Sequence, residues 1–331
     1  AEIGINHNGS LELAKKMIIA AKKSGADAVK FQNYEVDDFI KNKKLLFKYK
    51  YKNKIISTNQ YDMFKKLQLS KSDIIYLKKF CDQLNIIFFS TPTSAEGVDF
   101  LKKIGVKLIK NGSDFLSDLN LIKHMAKSNL PTILSTGMAN LKNIDEAVDV
   151  YKKNGGNKLI LLHCNSQYPT KLNEVNLIKI EELKKRYGCL IGFSDHTEGN
   201  ISASLSVVLG SKIIEKHFTT NKKLKGPDHA ISANPQEFRD LVFNIRKNEM
   251  IMGSSSFSIS KKEKMSKQKF SLSAFYKFNY PYGHKIILND LIFRRPGNGL
   301  NQSQTSKIIG KILKKNVKKN QIIKLKHFYA N

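Results

Sequence analysis

Residues that bind anions, hold metals or move protons recur at the ends of short apolar runs in this chain. Glu2 closes the first run, with Asn6 and His7 just after it, and Lys30 and Gln32 close the second. Ser90 and Thr91, then Lys110 and Ser113, then Ser135 and Thr136 close the next three. His163, Asn165, Ser166 and Tyr168 follow the sixth; Ser194, Asp195 and His196 close the seventh; Glu215, Lys216 and His217 close the eighth. Lys110 with Ser113, Ser135, Ser166 and Ser194 offers one cation and several hydroxyls, a set suited to a phosphate. Each serine taken alone is better explained as a helix N-cap; as a ring with one buried lysine, the phosphate reading gains. The chain has no GxxxxGK[ST] and no GxGxxG, which argues against a nucleotide site. His196 and His217 stand at matching ends of neighbouring runs, where two imidazoles with carboxylates and waters suit manganese or a similar divalent cation. Glu215 and Asp228 are the nearby carboxylates, and hydrogen-bonded structural histidines are the alternative reading. Glu2 suits an acid, a base or a hydroxyl binder, or else an ion pair with Lys30.

The elements that carry these residues alternate in kind. Eight apolar, β-branched runs span 1–4, 28–32, 86–92, 108–113, 132–138, 159–164, 190–197 and 212–218. Uninterrupted apolar character fits strands buried on both faces of a parallel sheet. Helical patterns separate them. Ser10 is placed to cap a helix with Glu12 in its first turn, Leu13, Met17, Ala20 and Ala21 on one face, and Gly25 at its end. Asn143 with Glu146 resembles a capping box before Ile144, Ala147, Val148 and Tyr151. Eight βα units predict a (β/α)8 barrel, whose active site forms at the C-terminal ends of its strands. The first strand is expected to be truncated, since the chain opens on Ala1 within it. The stretch 34–61, rich in lysine and aromatics, is too long for a plain βα loop and should cover one end of the barrel. After a helix at 235–251 the pattern changes. The expected division is a barrel at 1–258, a linker at 259–272 and a small β-rich domain at 273–331, of a size marginal alone.

Composition narrows the function classes. Apolar residues make up 41% of the chain, enough for a full core, and no apolar run is long enough to span a membrane. Cys81, Cys164 and Cys189 are widely spaced, which suits a reducing cytoplasm better than a disulfide framework. The formal charge of +29 would fit a polyanion partner, but the lysines are scattered and no RNA- or DNA-binding motif accompanies them. Neither nucleic acid nor membrane is therefore expected as a partner.

Taken in order, AEIGINHNGSLELAKKMIIAAKKSGADAVKFQ, FSTPTSAEGVDFL, KNGSD, ILSTGM, LLHCNSQYP, GFSDHTEG, IIEKHF and GPDH resemble the N-acetylneuraminate synthase family, which includes legionaminate and pseudaminate synthases. The segment 294–299, RRPGNG, is similar to the signature of that family's C-terminal SAF (antifreeze-like) domain. The resemblance covers nearly the whole chain. It implies a transferase that condenses phosphoenolpyruvate with an N-acetylated sugar aldehyde and water, giving a nonulosonic acid and phosphate. It implies His196 and His217 as ligands of a divalent metal, manganese or magnesium. It places Lys110, Ser113, Ser135, Ser166 and Ser194 on phosphoenolpyruvate, and Glu2, Gln32, Tyr168 and Asp228 on the sugar side with Lys30 at the same mouth. Glu2, Lys30 and Asp228 are the implied catalytic groups. Arg295 matches an SAF arginine that reaches the partner subunit's site in a domain-swapped homodimer. Two departures stand out: a carboxylate at Asp114 where some members carry one at the position of Phe115, and Lys269–Ser273 in place of a more usual Arg-Arg-Ser-Leu.

Other readings remain at this stage. A Schiff-base aldolase on the same fold would use Lys110, Lys30 or Lys216 as its amine. A synthase of seven- or eight-carbon sugar acids would share the barrel but usually lacks the SAF segment. A basic saccharide- or nucleic-acid-binding protein without turnover is the remaining class.

Overall fold

The structure is a computed structural model and describes residues 1–52 and 54–329. Asn53, inside the 34–61 stretch, and Ala330 and Asn331, at the end of the expected small domain, lie outside the described residues. The chain divides into two compact units, Ala1–Gly253 and Ser254–Asn331.

Twelve strands follow in chain order. They are β1 (Glu2–Gly4), β2 (Ala28–Asn33), β3 (Leu46–Tyr51), β4 (Lys54–Asn59), β5 (Ile87–Pro92), β6 (Ile109–Asn111), β7 (Thr132–Ser135), β8 (Leu159–Cys164), β9 (Leu190–Asp195), β10 (Ile213–Lys216), β11 (Ser273–Tyr276) and β12 (Leu291–Arg294). Eight of them form one parallel sheet in the order β1-β2-β5-β6-β7-β8-β9-β10. The sheet closes on itself. Glu2 and His217 form a parallel bridge, and the Phe218 amide donates to the Glu2 carbonyl at 2.8 Å. The first unit is therefore the (β/α)8 barrel that the alternation predicts.

Four of the strands stop short of the C-terminal ends of their apolar runs. β6 stops at Asn111, β7 at Ser135, β9 at Asp195 and β10 at Lys216. Ser113 consequently lies on a 3-10 turn, Ser113–Phe115, and not on a strand. The first helix, Leu11–Lys23, starts as expected, with Ser10 accepting from the Leu13 amide. The helix Leu141–Lys153 begins earlier than Asn143 and Glu146 suggest. Asn140 is its cap, and Asn143 reaches back as the third residue of the box. Both asparagines satisfy the composition rule for a cap, and only the turn before Leu141 decides between them.

Strand alternation sorts the side chains into two sets. Phe89, Ile133, Ile160 and Leu162 point inward with Ala28, Leu108 and Ile213 and fill the lower barrel. Above them, on the same inward positions, stand Lys30, Thr91, Lys110, Ser194 and Glu215, while Ser135 lies a layer lower, level with Leu162. The outward set packs against the helices: Ile3, Val29, Phe31, Phe88 and Ile109 on one side, Leu134, Leu161, Ile191 and Phe193 on the other. Several polar residues at the strand ends belong to this outward set and hold the scaffold. Asn6 donates to the Phe218 carbonyl (3.0 Å) and to Ser232 Oγ (2.8 Å). His163 meets the Val175 carbonyl at 2.6 Å and stacks on Phe193. Lys216 is buried and donates to Asp195 Oδ2 (2.8 Å) and to the Thr197 carbonyl (2.6 Å), clamping β10 to β9.

In the 34–61 stretch, β3 and β4 form an antiparallel hairpin that leads into the helix Gln60–Leu67. The second unit builds its own core from Ala274, Tyr276, Ile286, Leu313, Ile323 and Phe328 around the β11–β12 pair. The 259–272 segment, read as linker, carries the helix Lys261–Phe270, every residue of which is exposed. Ser260 and Glu263 form a capping box at its start. Among the described residues, no helix is long and apolar enough to cross a membrane.

Two outcomes follow from the outward set. Lys216→Met leaves the Asp195 carboxylate buried without its cation. Urea denaturation should show a loss of about 3–5 kcal/mol; a loss under about 1 kcal/mol would show that the clamp is dispensable. His7 is buried, and burial holds its imidazole down to about 4. Its Nδ1 accepts from the Gly9 amide at 3.1 Å. With the folded value below the unfolded one, the unfolded state takes up the proton first, so stability declines as pH falls from about 6.5 toward 4. At pH 5 the contribution is on the order of 2 kcal/mol. Thermal melts at pH 7.5 and 5 should show a smaller drop for His7→Gln than for the wild type.

Candidate active site

The inward polar residues meet at the C-terminal end of the barrel around a cavity of about 490 Å³. Its floor is a chain of alternating charges. Lys30 Nζ lies 2.7 Å from Glu2 Oε2 and 3.9 Å from Glu215 Oε1, and Lys110 Nζ lies 2.7 Å from that same Glu215 oxygen. All four side chains are less than 10% exposed, so each charge is held by its neighbours and not by water. Ser194 Oγ donates to Glu215 Oε1 at 3.1 Å, and Gln32 Nε2 to Glu2 Oε1 at 3.2 Å. Gly4 makes the Glu2 position possible. It takes φ +52° at a bulge in β1, and a Cβ there would stand 3.0 Å from Glu2 Oε1.

The two carboxyls of this chain are tuned apart. Burial alone would raise Glu215, but Lys110 and Lys30 together hold it well below the usual carboxylate range. Burial raises Glu2 against the pull of Lys30, and the Glu215 charge adds to the rise. Lys110 loses to burial but gains more from Glu215, and its ammonium is held above its ordinary value. It is a fixed cation. Asp228 is half-buried near Glu2 and pushed up to about 7, by desolvation first and then by the Glu2 charge.

A second group lies beside the floor. The His196 and His217 rings are 5.4 Å apart, and Tyr168 stacks at a tilt 4.1 Å from His196 and edge-on 5.8 Å from His217. His196 Nδ1 engages the Asn165 carbonyl at 2.5 Å, which leaves Nε2 facing the cavity group. His217 Nδ1 is buried without a hydrogen-bond partner among the described residues, with Asp228 Oδ2 3.8 Å away. Burial holds His196 down to about 4 and His217 well below its ordinary value, with His196 adding to the latter. Both are thus neutral imidazoles, the form that ligates metals. Among the described residues no three or more His, Cys, Asp or Glu side chains gather closely enough to hold a metal ion. Any cation here would complete its shell with water or substrate oxygens.

Ser113 and Ser166 complete the wall next to Lys110. Gly137 lies between them, its amide donating to Ser113 Oγ at 3.1 Å. A Cβ at Gly137 would stand 2.4 Å from Ser166 Oγ and 2.7 Å from Ser113 Oγ, so glycine is what keeps this cradle open. Ser135 differs from its companions. It is sealed at 0% exposure, is not on the cavity wall, and its hydroxyl has no partner among the described residues.

A model of the NeuB family matches residues 17–257. An N,N'-diacetyllegionaminic acid synthase of Legionella pneumophila is 38% identical over 100% of this chain and 94% of its own length. One of Campylobacter jejuni is 39% identical over 98% of both. The chain belongs to the NeuB family. Among solved structures, an N-acetylneuraminic acid synthetase from Leptospira borgpetersenii superposes with a TM-score of 0.73 at 35% identity, covering 80% of this chain and 88% of that one.

Of the residues singled out in sequence, this NeuB-family barrel brings Glu2, Lys30, Gln32, Lys110, Ser113, Ser166, Tyr168, Ser194, His196, His217 and Asp228 to one cavity. Arg295 belongs to the second unit, where its guanidinium lies 5.5 Å from the Phe270 ring. Glu215 was visible in sequence only as one carboxylate among several, yet it is the hub of the NeuB floor. Its signal was parity: in the run from Ile213, residues 215 and 217 share the inward face, and Lys216 does not. Gly137 gave no signal of its own.

Filling the cradle tests its role. In Gly137→Ala the affinity for inorganic phosphate, measured by calorimetry, should fall roughly ten-fold or more, equivalent to about 1.4 kcal/mol. Unchanged affinity in a folded variant would remove Gly137, Ser113 and Ser166 from anion binding.

Proposed function

We propose that the chain joins C3 of phosphoenolpyruvate to the aldehyde carbon of an open-chain acetamido sugar, with water, to give a nonulosonic acid and phosphate. The names of its relatives favour an acceptor of the 2,4-diacetamido-trideoxyhexose kind, with N-acetylmannosamine as the simpler alternative. The observation that carries the reading is the buried, permanently charged Lys110 beside the Ser113–Gly137–Ser166 cradle and Ser194. A cation fixed by Glu215 and ringed by donors suits a phosphate and a carboxylate on one small molecule.

In this reading C3 forms the new bond, the aldehyde oxygen takes up a proton and becomes a hydroxyl, and C2 becomes electron-poor. Water adds to C2 and gives up a proton. The resulting tetrahedral centre loses phosphate by C–O cleavage, its hydroxyl proton leaving with the phosphate. Glu2, which burial raises, and Asp228, pushed up to about 7, are suited to give and take these protons, and Lys30 orients Glu2 at 2.7 Å. Gln32 and Tyr168 would hold sugar hydroxyls. Holding two reactants in one pose removes an entropic part of the barrier.

His196 and His217 fit a divalent cation, manganese or magnesium, because both are neutral and one buried nitrogen has no partner among the described residues. Such an ion supplies Lewis acidity toward the aldehyde oxygen. Ser135 would act from below the floor and not by direct contact. The second unit is read as an SAF-type domain, and Arg295 would serve the partner's site in a cytoplasmic homodimer.

The Schiff-base alternative needs a neutral amine. Lys110 is held protonated, Lys30 is paired with Glu2, and Lys216 faces the helices.

Phosphate release from phosphoenolpyruvate, followed with a panel of N-acetylated sugars, should require both a sugar and added manganese or magnesium, and EDTA should abolish it. Borohydride should trap no adduct. Release without a sugar, or none with any sugar, would overturn the synthase reading.

A further inference from the structure

Asp228 reaches the cavity from an irregular segment, 219–234, between β10 and the helix Pro235–Met252. Backbone in such a segment has no ladder of its own and takes its partners from elsewhere. The loop after β1 supplies two asparagines. Asn8 Nδ2 donates to the Lys225 carbonyl at 3.0 Å. Asn6 Nδ2 makes two bonds, to the Phe218 carbonyl at 3.0 Å and to Ser232 Oγ at 2.8 Å. Ser232 passes the second one on, since its hydroxyl donates to the Asp228 carbonyl at 2.7 Å. Phe218 directly follows His217, and the Ala233 amide donates to the His217 carbonyl at 2.8 Å. One amide group therefore ties the backbone beside His217 to the turn that begins at Asp228. The two side chains of that pair stand 3.8 Å apart, Asp228 Oδ2 to His217 Nδ1.

We propose that Asn6 and Ser232 form a positioning relay that sets where the Asp228 carboxyl stands relative to His217. This rests on the proton-transfer role given to Asp228 above. Both relay side chains are buried, and the cavity lining includes neither, so they act through Asp228 and not on substrate. The two hydrogens of an amide NH2 lie in one plane, so an amide that donates both fixes two acceptors at once. Asn6 follows β1, which meets β10 only where the barrel closes, so the relay crosses the closing seam. The turn also has backbone bonds of its own, from the Ile231 and Ser232 amides to the Asp228 carbonyl at 3.3 and 3.1 Å. Losing the relay therefore loosens the turn without unravelling it. A displacement of about 1 Å at a reacting group costs on the order of a hundred-fold in rate. Phosphoenolpyruvate, read onto Lys110 and the Ser113–Gly137–Ser166 cradle, lies across the barrel on the side of β6, β7 and β8. Its binding should not register the change.

Ser232→Ala removes the link to Asp228 and keeps the bond from Asn6 to Phe218, whereas Asn6→Ala removes both. Measured well below each melting temperature, kcat should fall roughly ten- to a hundred-fold in either variant, with KM for phosphoenolpyruvate within about three-fold of wild type. The double variant should be slower than Asn6→Ala by no more than about three-fold, because links of one relay are not lost twice. Amide exchange across 226–233, followed by mass spectrometry, should quicken in Ser232→Ala while β9 and β10 keep their protection. If Asn6→Ala does not fold, Ser232→Ala, which lacks only one oxygen, decides. A folded Ser232→Ala with wild-type kcat, whatever its melting temperature, is the outcome of a merely structural contact and would overturn the relay. Unchanged exchange across 226–233 would do the same, as would losses that multiply in the double variant. Each of these leaves the synthase reading standing. No phosphate release by the wild type with any acceptor would instead remove the role of Asp228, and the relay with it.

Discussion

Four ionised side chains buried side by side are the constraint around which the rest of this molecule is arranged. An unpaired charge in a protein interior costs several kcal/mol even after relaxation. Glu2, Lys30, Glu215 and Lys110 escape that penalty only as an alternating chain, each within reach of an opposite charge. They come from β1, β2, β10 and β6, so the chain of charges exists only when the parallel sheet has closed in register. The closing bridge joins Glu2 to His217, the first strand to the end of the last. Barrel closure and assembly of the site are therefore one event. The pairing also sets the electrostatics of the cavity, since Glu215 holds the Lys110 ammonium above its ordinary value.

The same two-residue period that builds the sheet divides the work between neighbours in sequence. Glu215 and His217 face the cavity, and Lys216 between them ties β10 to β9 through Asp195. Ser194 and His196 face the cavity, and Phe193 and Asp195 face the helices. A motif such as SDHT or EKHF is therefore two interleaved functions. One member of each pair touches the cavity, and the next keeps the strand from shifting and carrying that member away. A one-residue slip would exchange the two sets.

That interleaving bounds what the sequence could reveal. The eight strands were legible because parallel strands buried on both faces leave uninterrupted apolar runs, and the helix after Ser10 was legible from its cap. The C-terminal ends of four strands were not. The runs continue past Asn111 and Ser135, but the backbone leaves the sheet there, and Ser113 reaches the cavity from a turn. Ser135 carries the same residue type as Ser166 and Ser194, but it lies a layer lower and is sealed. Spacing along one strand does not record depth across eight. The hub role of Glu215 and the opening that Gly137 keeps are contacts between strands far apart in sequence, and no local pattern encodes them. The helix Lys261–Phe270 was hidden for a different reason: it has no buried face, so it has no apolar period to read.

The cavity also separates what must stay fixed from what is free to vary. Its floor is tied to the barrel through ion pairs and strand register, so a change there is felt as lost stability as well as lost chemistry. Most of its aromatic wall (Phe39, Phe47 and Phe64, beside Phe115) comes from the insertion after β2, whose buried Tyr34, Val36, Ile40 and Leu67 cluster with Ile5 from the loop after β1. A side chain at the position of Phe64 or Phe115 can change size or polarity without uncovering a charge on the floor. Such an arrangement keeps the buried charge in residues tied to barrel closure and leaves the rings of the wall outside that constraint.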